Sequence, residues 1–226
     1  MKIKRVAVVT EAGNGLGKTF AKILIHHNYN VILAASKKSY EDLSSDAITL
    51  EDFRLVKVDF TSAESISELK SLITSAYGRL DLLINNAEIA NGFGQKISQL
   101  NLEEVKALYE INLFAVIRII QTLKPTLEQS DDPSIINITS SLGDITKMTD
   151  DNFCYSNYCM TAYATSKAAL NMFTHLQCKE FKPSYIKINS FDPIAMKNCT
   201  HNSVVICDGI KEEFINLISK APLIQD

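Results

Sequence analysis

The sequence predicts an α/β fold: a doubly wound parallel sheet of about six strands with helices on both faces. Three observations predict it. Short runs of β-branched and aliphatic residues recur along the chain and are apolar on both faces, the mark of strands covered on both sides. Segments with helical apolar spacing separate them, as right-handed crossovers require. A glycine-containing turn joins the first run to the first helical segment.

The elements follow in order. Val6–Thr10 reads as the first strand, Gly17–His27 as the first helix, and Val31–Ala35 as a second, continuously apolar strand. A short helix is expected near Ser39–Leu43 and a third strand over Leu55–Phe60. Ser62–Tyr77 is helical, capped by Thr61 or Ser62, with Glu64 adding early acidity. Leu82–Asn85 is the fourth strand, Leu102–Leu127 a long helix, and Ser134–Thr139 the fifth strand. Thr161–Phe181 is a helix, Ile186–Ser190 the sixth strand and Lys211–Ile218 the last helix. Together they make a Rossmann-like sheet. Only about thirty residues follow Met196, so a seventh strand is expected to be absent or reduced. No linker or repeat divides residues 1–226, which are read as one domain.

At 226 residues and 46 % hydrophobic content the chain can bury a substantial core. A net charge of −3, no tryptophan and no basic run give no nucleic-acid surface or membrane patch. The apolar run before Glu11 is too short for a signal-peptide core, and no stretch approaches a transmembrane helix, so a cytoplasmic location is expected. The five cysteines are odd in number and lack C-x-x-C spacing, which points to reduced thiols. The four histidines show no ligand spacing, so no metal is expected.

The most informative residues are Ser140 and Tyr163-Ala-Thr-Ser-Lys167. A tyrosine and a lysine four apart share one helix face, so the ammonium can lower the phenol's pKa and make it an acid/base near neutrality. A serine from elsewhere can hold a carbonyl oxygen against that phenol. At the other end of the chain, Thr10-Glu-Ala-Gly13-Asn14-Gly15-Leu16-Gly17 falls where strand one meets helix one. There, free backbone N–H groups and close backbone approach suit a pyrophosphate.

With this loop, Asn85-Asn86-Ala87, Asn112, Ser140 and Tyr163/Lys167, the chain resembles the short-chain dehydrogenase/reductase family nearly end to end. Ser140-Ser-Leu-Gly143, the long spacer before Tyr163 and Ser166-Lys167-Ala-Ala-Leu-Asn171 look most like the sniffer and C-factor carbonyl-reductase branch. The resemblance implies that Tyr163 is the proton donor or acceptor and that Ser140 orients the substrate oxygen. Lys167 would depress the Tyr163 pKa and hold the nicotinamide ribose, and Asn112 would anchor a relay water. Thr10, Gly13, Asn14, Gly15, Leu16 and Gly17 would line the dinucleotide, with Asp59 and Asn86 on its adenosine side and Pro193 in the turn after strand six. Thr10 and Asn86 also read as polar anchors between strand ends. The implied activity interconverts a small-molecule carbonyl and an alcohol. A homodimer built on Leu102–Leu127 and Thr161–Phe181 is the family expectation, although Leu108, Ile111, Ala115 and Ile119 could equally face the sheet.

Strand two ends Ala35-Ser36-Lys37-Lys38, with no carboxylate to bind a ribose diol. Ser36 and Lys37 therefore favour NADP(H), NAD being possible, while Asn14 stands where many NADP-using relatives carry a cation. Three family glycines are replaced, by Glu11, Glu88 and Ile194. A Cβ there costs strain where φ is positive, and two of the three add negative charge near an anionic cofactor. The alternative is a non-catalytic or weakly active member serving as a binding or dimerisation module. Met148, Phe153, Tyr155 and Tyr158 either flank an apolar pocket mouth or lie on the surface.

Overall fold

The computed structural model describes residues 4–12, 15–45, 53–91, 95, 97–158, 160–193 and 208–219. Alternating strands and helices run β1 (Arg5–Thr10), α1 (Gly15–His26), β2 (Tyr29–Ala35), α2 (Lys37–Ser45) and β3 (Phe53–Lys57). The second half continues α3 (Ala63–Tyr77), β4 (Leu82–Asn85), α4 (Leu102–Tyr109), α5 (Val116–Leu127) and β5 (Ser134–Ile138). It closes with α6 (Ile145–Met148), α7 (Thr161–Glu180), β6 (Lys187–Phe191) and α8 (Asp208–Ser219).

The six strands are parallel and ordered β3-β2-β1-β4-β5-β6. Strand order reverses between β1 and β4, which opens a crevice at the carboxyl ends of these two strands. Side chains alternate across the pleat, so each strand feeds two cores. Val6 and Val8 face α3 and α5 through Ile66, Leu69, Ile119 and Leu123. Ala7 and Val9 face α1 and α8 through Phe20, Leu24 and Phe214. That double burial is why the strands read as unbroken apolar runs.

Several boundaries have identifiable local causes. Ser62 caps α3 by accepting from the Ser65 N–H at 3.2 Å, and Gly78 closes it with φ 73°. Strand β3 begins two residues earlier than its sequence suggests, at Phe53, and it ends at Lys57, just before Asp59 turns the chain with its Oδ1 accepting from Thr61 N–H at 2.9 Å. The helix expected over Leu102–Leu127 is interrupted by a wide π turn at Glu110–Ala115, and this turn carries Asn112. Leu108, Ala115 and Ile119 are buried and Ile111 is half-buried, so these four do not form an outer face; the exposed large apolar residues of the helix pair are Leu102, Phe114, Met172 and Leu176.

Contrary to the expectation of reduced thiols, Cys154 is disulfide-bonded, while Cys178 is free. Gly13, Asn14, Ile194 and the terminal residues 220–226, where a seventh strand would begin, also lie outside the described residues. No described helix is long and apolar enough to cross a membrane.

Candidate active site

The carboxyl end of β5 and the segment after β4 meet the amino-terminal half of α7. Ser140 follows β5 in extended conformation, and its Oγ accepts from the Leu142 N–H at 3.2 Å, opening a tight turn over Ser141–Gly143. That turn lies directly on α7. A Cβ on Gly143 would stand 2.6 Å from the backbone of Lys167 and Ala168, so only glycine permits the approach. The result sets the Ser140 side chain beside the Tyr163 hydroxyl, where it favours the phenolate.

Lys167 is buried to 1 % exposure, and its Nζ donates to the Ile138 carbonyl at 2.9 Å. Its charge partner is Glu88, whose Oε2 lies 2.6 Å away. The Tyr163 hydroxyl donates to the same oxygen at 3.2 Å. Glu88 therefore bridges the tyrosine and the lysine, standing where the family carries glycine. Lys167 was expected to pull the Tyr163 pKa down, and the structure has the opposite. Burial pushes the phenol well above its ordinary value, the neighbouring Glu88 charge raises it further, and the Ser140 hydrogen bond opposes them only in part.

Asn112 is buried in the π turn with both polar atoms committed. Its Oδ1 accepts from Ile89 N–H at 2.9 Å, and its Nδ2 donates to Ile89 O and Ser166 Oγ, each at 3.0 Å. The side chain thus ties the segment after β4 to α7.

Thr10 and Asn86 join β1 to β4 across the crevice. Thr10 Oγ1 accepts from the N–H groups of Asn86 and Ala87, both at 2.9 Å, and Asn86 Nδ2 donates to the carbonyls of Thr10 and Glu11 at 3.0 and 2.9 Å. Helix α1 starts against this junction. A Cβ on Gly17 would lie 2.7 Å from Ala12 Cα and 2.8 Å from Asn86 Nδ2. Gly15 has φ +55°, Leu16 is partly buried against the α1 face of the sheet, and Pro193 is half-buried beyond β6. Asp59, at the end of β3, is exposed, and its hydrogen bonds from Thr61 hold its carboxyl below the usual value.

Glu11 shows what replaces the first loop glycine. Its φ is 52°, a left-handed conformation that costs an ordinary residue about 1 kcal/mol. Its carboxylate reaches the end of β2, accepting from Ser36 N–H at 3.0 Å, Ser36 Oγ at 3.1 Å and Ser39 Oγ. The sequence placed no carboxylate at that strand end; the fold delivers one from the neighbouring strand.

Beside Tyr163, an apolar cluster joins Leu108, Leu142 and Met160 to Met148, Phe153 and Tyr155. The Phe153 and Tyr155 rings meet edge-on, and Tyr155 meets Tyr158 in the same way. Tyr158 is the most open of the four residues considered for a pocket mouth, at 38 % exposure.

The model of the short chain dehydrogenase family matches residues 5–205, and the chain belongs to that family. It is similar to an uncharacterised oxidoreductase of Staphylococcus aureus strain MW2, 27 % identical over 190 residues, covering 84 % of this chain and 77 % of the relative. Among solved structures it resembles a short-chain dehydrogenase from Streptomyces avermitilis, with TM-score 0.69 and 25 % identity, covering 85 % of this chain and 66 % of that one. It also resembles the NADPH-bound carbonyl reductase from chicken fatty liver, with TM-score 0.73 and 25 % identity, covering 84 % and 79 %.

Proposed function

We propose that the protein is a nicotinamide-dinucleotide-dependent oxidoreductase that interconverts a carbonyl and an alcohol. The observation that carries this reading is the convergence of Ser140, Tyr163 and a buried Lys167 at one end of the parallel sheet. A nicotinamide dinucleotide, when bound, supplies the hydride donor or acceptor that no side chain can be.

The residues present fit such a group. The crevice between β1 and β4 lies in front of the amino terminus of α1, and Gly17 seats that helix against Ala12 and Asn86. One contact must change. Lys167 can hold ribose hydroxyls only after Glu88 releases it. The Glu88 side chain is 36 % exposed, so its departure into solvent empties no packed space.

Ser140 would fix the substrate oxygen beside the Tyr163 hydroxyl, and Tyr163 would pass its proton to that oxygen as the carbonyl is reduced. Burial keeps the phenol protonated across the neutral range, which suits donation to a carbonyl better than removal of a proton from an alcohol. Asn112 would serve by holding α7 to the segment after β4. The apolar wall of Met148, Phe153 and Tyr155 favours an apolar or aromatic carbonyl compound. A homodimer of the kind relatives form would cover Phe114, Met172 and Leu176.

Ser36 and Lys37 favour NADP(H) when read by charge alone, and the Glu11 carboxylate opposes them. The test of the reaction class is Tyr163→Phe, assayed by reduced-nicotinamide consumption with an aromatic aldehyde. Turnover should fall about a hundredfold or more while dinucleotide affinity stays within about twofold. Turnover that survives the substitution would remove Tyr163 from the reaction.

A further inference from the structure

Glu11 combines two features that seldom coincide without a reason. Its backbone sits in a conformation that ordinary residues avoid, and its side chain is held by several neighbours at one defined place. The backbone is pinned by its own N–H donating to the Ala34 carbonyl at 2.7 Å and by Asn86 Nδ2 donating to its carbonyl at 2.9 Å. The carboxylate is pinned by Ser36 and Ser39. Strained residues persist where the surroundings over-determine them, and they gather at ligand sites.

The place matters. In a doubly wound sheet, the acidic group that accepts from the adenosine-ribose hydroxyls stands at the carboxyl end of β2. Strand β2 here ends at Ala35, and Ser36 and Lys37 carry no such group. The Glu11 carboxylate occupies that position from the β1 side, against the residue that leads into α2, where negative charge is favoured.

Counting acceptor sites sharpens the point. A carboxylate offers about four acceptor positions, two on each oxygen. Ser36 Oγ and Ser39 Oγ both use Oε1, and Ser36 N–H uses one position on Oε2. One position on Oε2 is left, enough for a single hydroxyl donor. A 2′-phosphate has no such donor at physiological pH. It would meet a like charge there, and the serine hydroxyls that could have solvated it are already engaged by Glu11.

We propose that Glu11 is the cofactor-selecting residue of this protein, accepting from the 2′-hydroxyl of the adenosine ribose and excluding a 2′-phosphate, so that the protein takes NAD(H) in preference to NADP(H). This rests on the proposed dinucleotide site. It reverses the preference that Ser36 and Lys37 suggest when read without Glu11.

The test is a fluorescence titration of NADH and NADPH into the wild-type protein, Glu11→Gln and Glu11→Gly. Glutamine removes the charge and keeps the backbone strain; glycine removes both, so one variant folds without the left-handed penalty. Wild type should bind NADH at least about tenfold more tightly than NADPH, a difference of about 1.4 kcal/mol. In both variants the ratio should fall to about one or invert. Tighter NADPH binding by wild type, or the same ratio in all three proteins, would overturn the assignment of Glu11. If neither dinucleotide binds any of the three, the dinucleotide site itself is refuted, and the role of Glu11 with it.

Discussion

Replacing Glu88 with glutamine tests the arrangement at the centre of the site. Glu88 Oε2 lies 3.2 Å from the Tyr163 hydroxyl and 2.6 Å from Lys167 Nζ. At 3.2 Å a full carboxylate charge disfavours phenolate formation by about 5 kcal/mol at an effective dielectric of about 20. Glu88 is 36 % exposed, and solvent screening reduces that to about 1–3 kcal/mol. Each pKa unit corresponds to about 1.36 kcal/mol, so removing the charge should lower the Tyr163 pKa by about one to two units. Lys167, no longer neutralised, would add to the fall. Burial continues to oppose it, so the phenol stays above its ordinary value. The chain has eight tyrosines. The assay is therefore a phenolate absorbance titration, read as the difference between each protein and its Tyr163→Phe counterpart. The Tyr163 component of Glu88→Gln in the ligand-free protein should appear about one to two pH units below that of wild type. An unchanged Tyr163 titration would refute the claim that Glu88 sets the protonation of the tyrosine.

Three further outcomes follow from the geometry. Thr10→Val leaves the Asn86 and Ala87 N–H groups without their acceptor in a buried place and should cost about 2–4 kcal/mol in urea denaturation; a loss below about 0.5 kcal/mol would show that the β1–β4 junction does not depend on it. Gly143→Ala forces a Cβ to within 2.6 Å of the α7 backbone, so stability should drop by about 1–3 kcal/mol and turnover should fall with it as Ser140 moves off Tyr163. Tyr163 and Tyr29 both have folded-state pKa values raised above 10.0, so their contribution is present below pH 10 and is lost as pH rises from there through each folded value; denaturant titrations above pH 10 should show a shallower loss in Tyr163→Phe than in wild type.

Periodicity and local chemistry made most of the scaffold legible. Val6–Thr10 and Val31–Ala35 read as strands because both of their faces are buried, and Ser62 read as a cap because its side chain completes the first turn of α3. The spacing of Tyr163 and Lys167 and the glycine pattern through Gly17 pointed to the candidate site from adjacent residues alone. What escaped depends on contacts between distant segments. Glu11 reads as a flaw in a glycine loop until its positive φ turns the side chain towards Ser36 and Ser39. Glu88 reads as a stray charge until the fold sets it against Lys167, 79 positions along the chain. A signal for that pair was present: a lysine bound for burial needs a counter-ion, and a carboxylate in place of the glycine after Asn85-Asn86-Ala87 stands at the same end of the sheet. The π turn at Asn112 left no mark, since its residues keep helical apolar spacing.

The most direct test of the proposed reaction is a single-turnover experiment. Protein saturated with NADH is mixed rapidly with an aromatic aldehyde, and reduced-nicotinamide absorbance is followed in wild type and Tyr163→Phe, with NADH affinity measured for both. The expected result is a wild-type decay at least about a hundredfold faster than that of Tyr163→Phe, at equal NADH affinity. Equal decay in the two proteins, or no NADH or NADPH binding by wild type, would contradict it.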